Sequence, residues 1–114
     1  MSALDAEKAR RRIGERLSGL RRRSRAAAPE RAVVELDQTA VGRLSRMDAI
    51  QRQAMAGAEE ARRQTEIMRL EQALKRIEEG EYGWCASCGE KIPEGRMEID
   101  PAATLCVRCA AGGN

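Results

Sequence analysis

Two Cys-x-x-Cys pairs, Cys85-Ala86-Ser87-Cys88 and Cys106-Val107-Arg108-Cys109, constrain this chain more than any other feature. Residues 89–105 separate them, a gap that fits the zinc pattern in which the second pair follows the first by about 15–20 residues. Tetrahedral Zn²⁺ takes four thiolates at about 2.3 Å, and each pair supplies two sulfurs from one tight turn. Both pairs together close the shell, so the expected cofactor is one structural Zn²⁺ held by Cys85, Cys88, Cys106 and Cys109. Gly89, directly after the first pair, permits a tight turn that aims backbone N–H groups at the sulfurs. Disulfides, a redox pair, an iron site and a catalytic zinc are the rival readings. A Cys₄ shell leaves no position for a water, and a cytoplasmic chain disfavours disulfides.

The region between the pairs is too poor in apolar area to fold alone. Pro93, Gly95 and Pro101 punctuate it, and Ile92, Met97, Ile99 and Leu105 are expected to cover one side of the metal. Zinc contributes on the order of 10 kcal/mol to such modules, which makes the metal a condition of order over residues 81–110. The absence of histidine from all 114 residues removes the commonest general base and catalytic zinc ligand, so no enzymatic role is expected.

Upstream of the cysteines the signal is helical. Nineteen of the apolar residues are alanine and eighteen are Ile, Leu or Val, too few for a thick core. Ala6, Ala9, Ile13, Leu17 and Leu20 recur at steps of three and four, with arginines on the other faces, which predicts a helix over about 3–28 that buries one side only. Pro29 marks its boundary at Ala28. Residues 29–45 read as a connecting loop with at most one helical turn. Ser45 and Asp48 resemble a capping box that opens a second helix over about 46–79. Ile67, Leu70, Leu74 and Ile77 give that helix a clear apolar stripe, continued in its first half by Ile50, Ala54, Gly57 and Ala61. Gly80 suits the left-handed position after its end.

The fold class that follows is mainly α: an antiparallel helical hairpin, or coiled coil, over residues 1–79 and a small Cys₄ zinc ribbon over 80–114. No apolar run approaches a membrane span, and a cytoplasmic location is the expectation. Charge is uneven. Residues 1–31 hold ten Lys and Arg against four Asp and Glu, while residues 78–114 hold three against seven.

The run Glu79-Gly80-Glu81-Tyr82-Gly83-Trp84-Cys85-Ala86-Ser87-Cys88-Gly89-Glu90-Lys91-Ile92-Pro93, followed by Arg96-Met97, Pro101 and Cys106-Val107-Arg108-Cys109, resembles the bacterial DksA/TraR zinc-finger family. The resemblance is dense from about Leu74 to Ala110, and the hairpin agrees with the family's architecture. It implies a transcription regulator that binds RNA polymerase directly, its hairpin entering the secondary channel with the tip toward the catalytic magnesium. The family's tip pattern, D-x-x-D-x-A, is reproduced neither by Asp37-Gln38-Thr39-Ala40 nor by Met47-Asp48-Ala49-Ile50. Asp37 and Asp48 are the candidate tip carboxylates, with Glu35, Arg43 and Arg46 as neighbours. Asp48 has the plainer reading of a helix-capping acid, and the two arginines that of solvated loop charges.

Two alternatives to polymerase binding stay open: a nucleic-acid-binding module using the basic N-terminal helix, and a redox- or zinc-responsive interaction protein. A monomer or weak dimer is expected, since the weak stripe in the first half of the second helix is open to completion by another chain.

Overall fold

In a computed structural model, which describes residues 3–31 and 43–112, the chain forms α1 (Ala3–Ala26), α2 (Ala28–Arg31), α3 (Arg43–Glu79), α4 (Glu94–Ile99) and α5 (Val107–Ala110). No β-strand is present among the described residues. The extended pairing found among them is an isolated antiparallel bridge between Trp84 and Lys91. At 1.5 Å per residue the 37 residues of α3 span about 55 Å, and the molecule measures 64 × 30 × 20 Å. No helix among the described residues is long and apolar enough to cross a membrane.

α1 folds back along α3 as a helical hairpin because each is apolar on a single stripe. Ile13 and Leu17 from α1 and Ile67, Leu70, Ala73 and Ile77 from α3 are buried against one another, flanked by Ala6, Ala9, Leu20 and Leu74. The same core runs on without a break into Tyr82, Cys85, Ile92, Met97, Ala102 and Ala103. Hairpin base and zinc ribbon therefore share one hydrophobic cluster.

α3 ends where expected, and the bonding pattern shows why. Gly80 lies at φ +75°, its N–H donates to the Ile77 carbonyl at 3.2 Å, and the Glu81 N–H donates to the Arg76 carbonyl at 2.9 Å. This is the Schellman closure, which satisfies two carbonyls that the helix leaves free and needs a residue without a Cβ at its left-handed position. The Arg76 guanidinium then approaches the Glu81 carboxylate at 3.6 Å across the closed end.

Several expectations about the hairpin are corrected. α1 stops at Ala26 rather than about residue 28, and Pro29 sits inside the one-turn α2, where its fixed φ suits an opening helical turn. α3 is already formed at Arg43, so Ser45 and Asp48 lie within the helix rather than at its opening. The first half of α3 does not turn Ile50, Ala54, Gly57 and Ala61 toward α1. All four are exposed, and the inward line is Ala49, Gln53, Ala56, Glu60 and Arg63.

That inward line is polar because a carboxylate is built into it. Glu60 Oε2 accepts from Ser24 Oγ at 2.6 Å and Gln64 Nε2 at 2.7 Å, and Oε1 faces Arg63 Nε at 3.0 Å and Arg31 Nη1 at 3.1 Å. Arg31 also donates to the Ser24 carbonyl at 3.0 Å, which ties α2 to the end of α1. These donors, led by the Ser24 hydroxyl, hold the Glu60 carboxyl at about 2, below its ordinary 4.5. The hairpin is thus held by apolar packing near the ribbon and by a charge network farther out.

Candidate metal centre

Each sulfur comes from a local turn. Cys85 and Cys88 close one knuckle, in which the Cys88 N–H points at Cys85 Sγ at 3.5 Å and the Gly89 N–H donates to the Cys85 carbonyl at 3.0 Å. Gly89 itself lies at φ +78°. The tight turn it permits aims the Cys88 N–H at sulfur, as expected, while its own N–H serves the Cys85 carbonyl. Cys106 and Cys109 form the second knuckle at the start of α5, with the Cys109 N–H directed at Cys106 Sγ at 3.5 Å. The two knuckles are joined by the Ala86 N–H donating to the Thr104 carbonyl at 2.7 Å. The Cys85 N–H donates to Glu90 and the Ile92 N–H to Gly83, both at 2.8 Å, and these bonds brace the first knuckle from its other side.

The four sulfurs lie within 4.8 Å of one another, and Cys88 Sγ and Cys106 Sγ are 3.8 Å apart. A tetrahedron with metal–sulfur bonds of about 2.3 Å has edges of about 3.8 Å, so the donor set already has the dimensions of a zinc shell. The electrostatics point the same way. Backbone N–H groups, that of Cys88 foremost, lower the Cys85 thiol to about 6, and the Cys109 N–H lowers Cys106. Cys109, hydrogen-bonded to the Cys106 sulfur and desolvated, is pushed up to about 12. Four sulfurs this close do not all ionise on their own account, and a dication in their midst supplies the missing charge. The Arg108 guanidinium, held beside Cys88, adds further positive charge at the rim. The cluster fits one structural zinc ion.

The apolar cover of the site is close to expectation with one exception. Ile92 and Met97 are buried and Leu105 packs against them, whereas Ile99, at the end of α4, is 84% exposed. Asp100 and Pro101 take the chain inward instead, and Ala102 and Ala103 fill the place beneath the ribbon.

A set of arginines that the sequence reading did not single out fixes the ribbon to the hairpin. Arg12 donates to the Glu98 carbonyl at 2.7 Å, Arg69 pairs with Asp100 at 2.8 Å, and Arg76 donates to the carbonyls of Trp84 at 2.7 Å and Glu81 at 3.1 Å. Tyr82 reaches across to the Pro101 carbonyl at 2.8 Å. Guanidinium groups on two helices thus satisfy carbonyls of a module that has almost no sheet of its own. Arginine-rich composition is the signal that was available, but it does not say which of eighteen arginines turn inward.

Of the tip candidates, Glu35 and Asp37 lie outside the described residues. Arg43 is the first residue of α3, Asp48 is exposed on its second turn, and Arg46 is half-buried. The metal ligands and the far end of the hairpin are therefore well separated along the length of α3.

Comparison with known proteins agrees with this geometry. Residues 80–112 match the model of the prokaryotic dksA/traR C4-type zinc finger. The RNA polymerase-binding transcription factor DksA of Escherichia coli K12 is 42% identical over 43 residues, which is 38% of this chain and 28% of that protein. The protein of the same description from Caulobacter vibrioides is 46% identical over 41 residues, 36% of this chain and 29% of its own length. These matches span less than a third of the relatives. The solved structure of transcription factor DksA2 from Pseudomonas aeruginosa superposes with a TM-score of 0.81 over 97% of this chain and 84% of that one, at 22% identity, and so shares the fold. The finger of this chain thus matches the prokaryotic dksA/traR C4-type zinc finger in sequence, and its hairpin and finger together share the fold of DksA2.

Proposed function

We propose that this protein is a non-enzymatic, cytoplasmic transcription regulator that binds RNA polymerase directly, inserting its helical hairpin into the polymerase's secondary channel. The observation that carries the reading is the finger, whose match in sequence is to factors described as RNA polymerase-binding. The hairpin supports it: an elongated two-helix arm about 55 Å long, stiffened at its base by zinc and at mid-length by the Glu60 network, suits a narrow channel. Zinc is structural here, and the reading asks no chemistry of it. Cys85, Cys88, Cys106 and Cys109 hold the metal. Glu35, Asp37, Arg43, Arg46 and Asp48 form the tip that meets the partner.

Direct nucleic-acid binding by α1 is less well supported, because four of its nine basic side chains are already engaged. Arg10 pairs with Glu7, Arg16 with Glu66 and Arg21 with Glu71, and Arg12 is bound to the finger. A pull-down of the zinc-loaded protein on purified core RNA polymerase tests the proposal. Asp37→Ala and Asp48→Ala variants run beside it in a transcription assay. Retained binding with a lost effect in either variant assigns the working tip. Absence of wild-type binding across salt concentrations overturns the function and leaves the fold and metal site standing.

A further inference from the structure

A cleft of about 240 Å³ opens between the first turns of α1, the segment that follows α3, and α4. Its floor is apolar, made by the buried side chains of Tyr82, Ile92 and Met97. Trp84, the single tryptophan of the chain, lines it and is 41% exposed. The backbone sets a lysine beside that indole. Trp84 and Lys91 form the antiparallel bridge, and the bonds flanking it, from the Ile92 N–H to the Gly83 carbonyl and from the Cys85 N–H to the Glu90 carbonyl, make it the closer, non-hydrogen-bonded kind of pair. In such a pair both side chains leave on the same face.

The same cleft carries both signs of charge. Lys8 on α1 and Lys91 supply ammonium groups, and Glu94 and Glu98, one turn apart on α4, supply carboxylates. None of these four side chains has an ion pair or a hydrogen bond among the described residues. The other two charged residues of the lining are engaged: Arg12 donates to the Glu98 carbonyl at 2.7 Å, and Asp5 has a partner within the chain. We propose that the cleft binds a free α-amino acid with a flat or branched apolar side chain.

The lining selects that class by its chemistry. Unpaired cations alone would take an anion, and unpaired carboxylates alone a cation. Both signs over an apolar floor fit a zwitterion, with its carboxylate toward Lys8 and Lys91, its ammonium toward Glu94 and Glu98, and its side chain against Trp84, Ile92 and Met97. An interior residue of a peptide has neither charge. Pockets for drug-sized molecules run to about 300–1,000 Å³, so this smaller cleft suits a ligand of about a dozen non-hydrogen atoms, the size of phenylalanine. Its charged walls are exposed to water, which keeps the affinity near about 1 mM. Occupancy ties the base of the hairpin to the finger, and it is independent of polymerase binding.

Because Trp84 is the only indole in the chain, its fluorescence reports on this cleft directly. The full zinc-loaded protein is titrated with L-phenylalanine and with L-leucine, and a saturable change in emission is expected with a midpoint near about 1 mM. Capping the ammonium as the N-acetyl derivative, or the carboxylate as the amide, should each weaken binding by at least about fivefold. The D-enantiomer should bind at least about threefold more weakly, because three attachment points fix the hand of the ligand. Glu94→Gln combined with Glu98→Gln should bind the L-amino acid at least about fivefold more weakly and should no longer distinguish it from its N-acetyl form. Both glutamates are exposed, and circular dichroism with zinc analysis checks that the variant is folded and loaded. The inference is overturned if neither L-amino acid gives a saturable change up to about 10 mM. It is equally overturned if the capped or D forms bind as well as the L forms, or if the double variant keeps wild-type affinity.

Discussion

Stripping zinc from the finger should loosen the hairpin as well as the finger, and the size of the effect follows from the shared core. Tyr82, Ile92 and Met97 are 6%, 1% and 9% exposed, and they belong to the same cluster as Ile13, Leu17, Leu70 and Ile77. Each large buried side chain contributes about 1.5–3 kcal/mol, so unfolding the ribbon forfeits roughly 5–9 kcal/mol of burial, an upper bound because the unfolded segment keeps some contacts. The arginine contacts to Glu98, Asp100 and Trp84 are lost with it. A domain of this size has about 5–15 kcal/mol in total, which leaves the hairpin marginal. Chelation, or Cys106→Ser, should therefore lower the midpoint of the helical melt followed by circular dichroism at 222 nm by at least about 20 °C. Re-addition of zinc should reverse the chelated case. An unchanged melt in protein shown by metal analysis to be zinc-free would refute the continuity of the core.

Three further outcomes are expected. Leu70→Ala, at a site with no solvent exposure, should destabilise the protein by about 2–5 kcal/mol in urea titration, whereas Ile99→Ala, at an exposed one, should change stability by less than about 0.5 kcal/mol. Because the Glu60 carboxyl is held at about 2, below its ordinary 4.5, its contribution is fully present above pH 4.5 and is lost as pH falls toward 2; Glu60→Gln should flatten the stability profile across that window. Gly80→Ala forces a side chain into φ +75° and should cost about 1 kcal/mol in thermal unfolding, although nothing crowds the added methyl group.

What was legible in the amino-acid order and what was not divides along a physical line. Metal ligands announce themselves because each knuckle is a four-residue turn, so Cys-x-x-Cys twice at a 17-residue interval specifies four converging sulfurs. The stripe Ile67, Leu70, Leu74, Ile77 announced the inner face of α3 because hydrophobic burial needs only a helical period. Gly80 announced the end of the helix for an equally local reason.

The first half of α3 was misjudged because it carries two stripes, and the more apolar one is on the outside. Direction there is set at a distance. A helix is stiff, so once Ile67 and Leu70 face α1, stepping back by four and three residues brings Arg63, Glu60, Ala56 and Gln53 inward whatever their polarity. Glu60 is stable there only because Ser24, Arg31 and Arg63 arrive from two other helices and its own. The same holds for Arg12, Arg69 and Arg76, whose acceptors, two carbonyls and the Asp100 carboxylate, lie in a segment up to 86 residues away. Short-range chemistry was written in the sequence. Which charged groups turn inward was decided by the tertiary structure, since a charge drawn partly out of water is held there by partners that folding has already assembled.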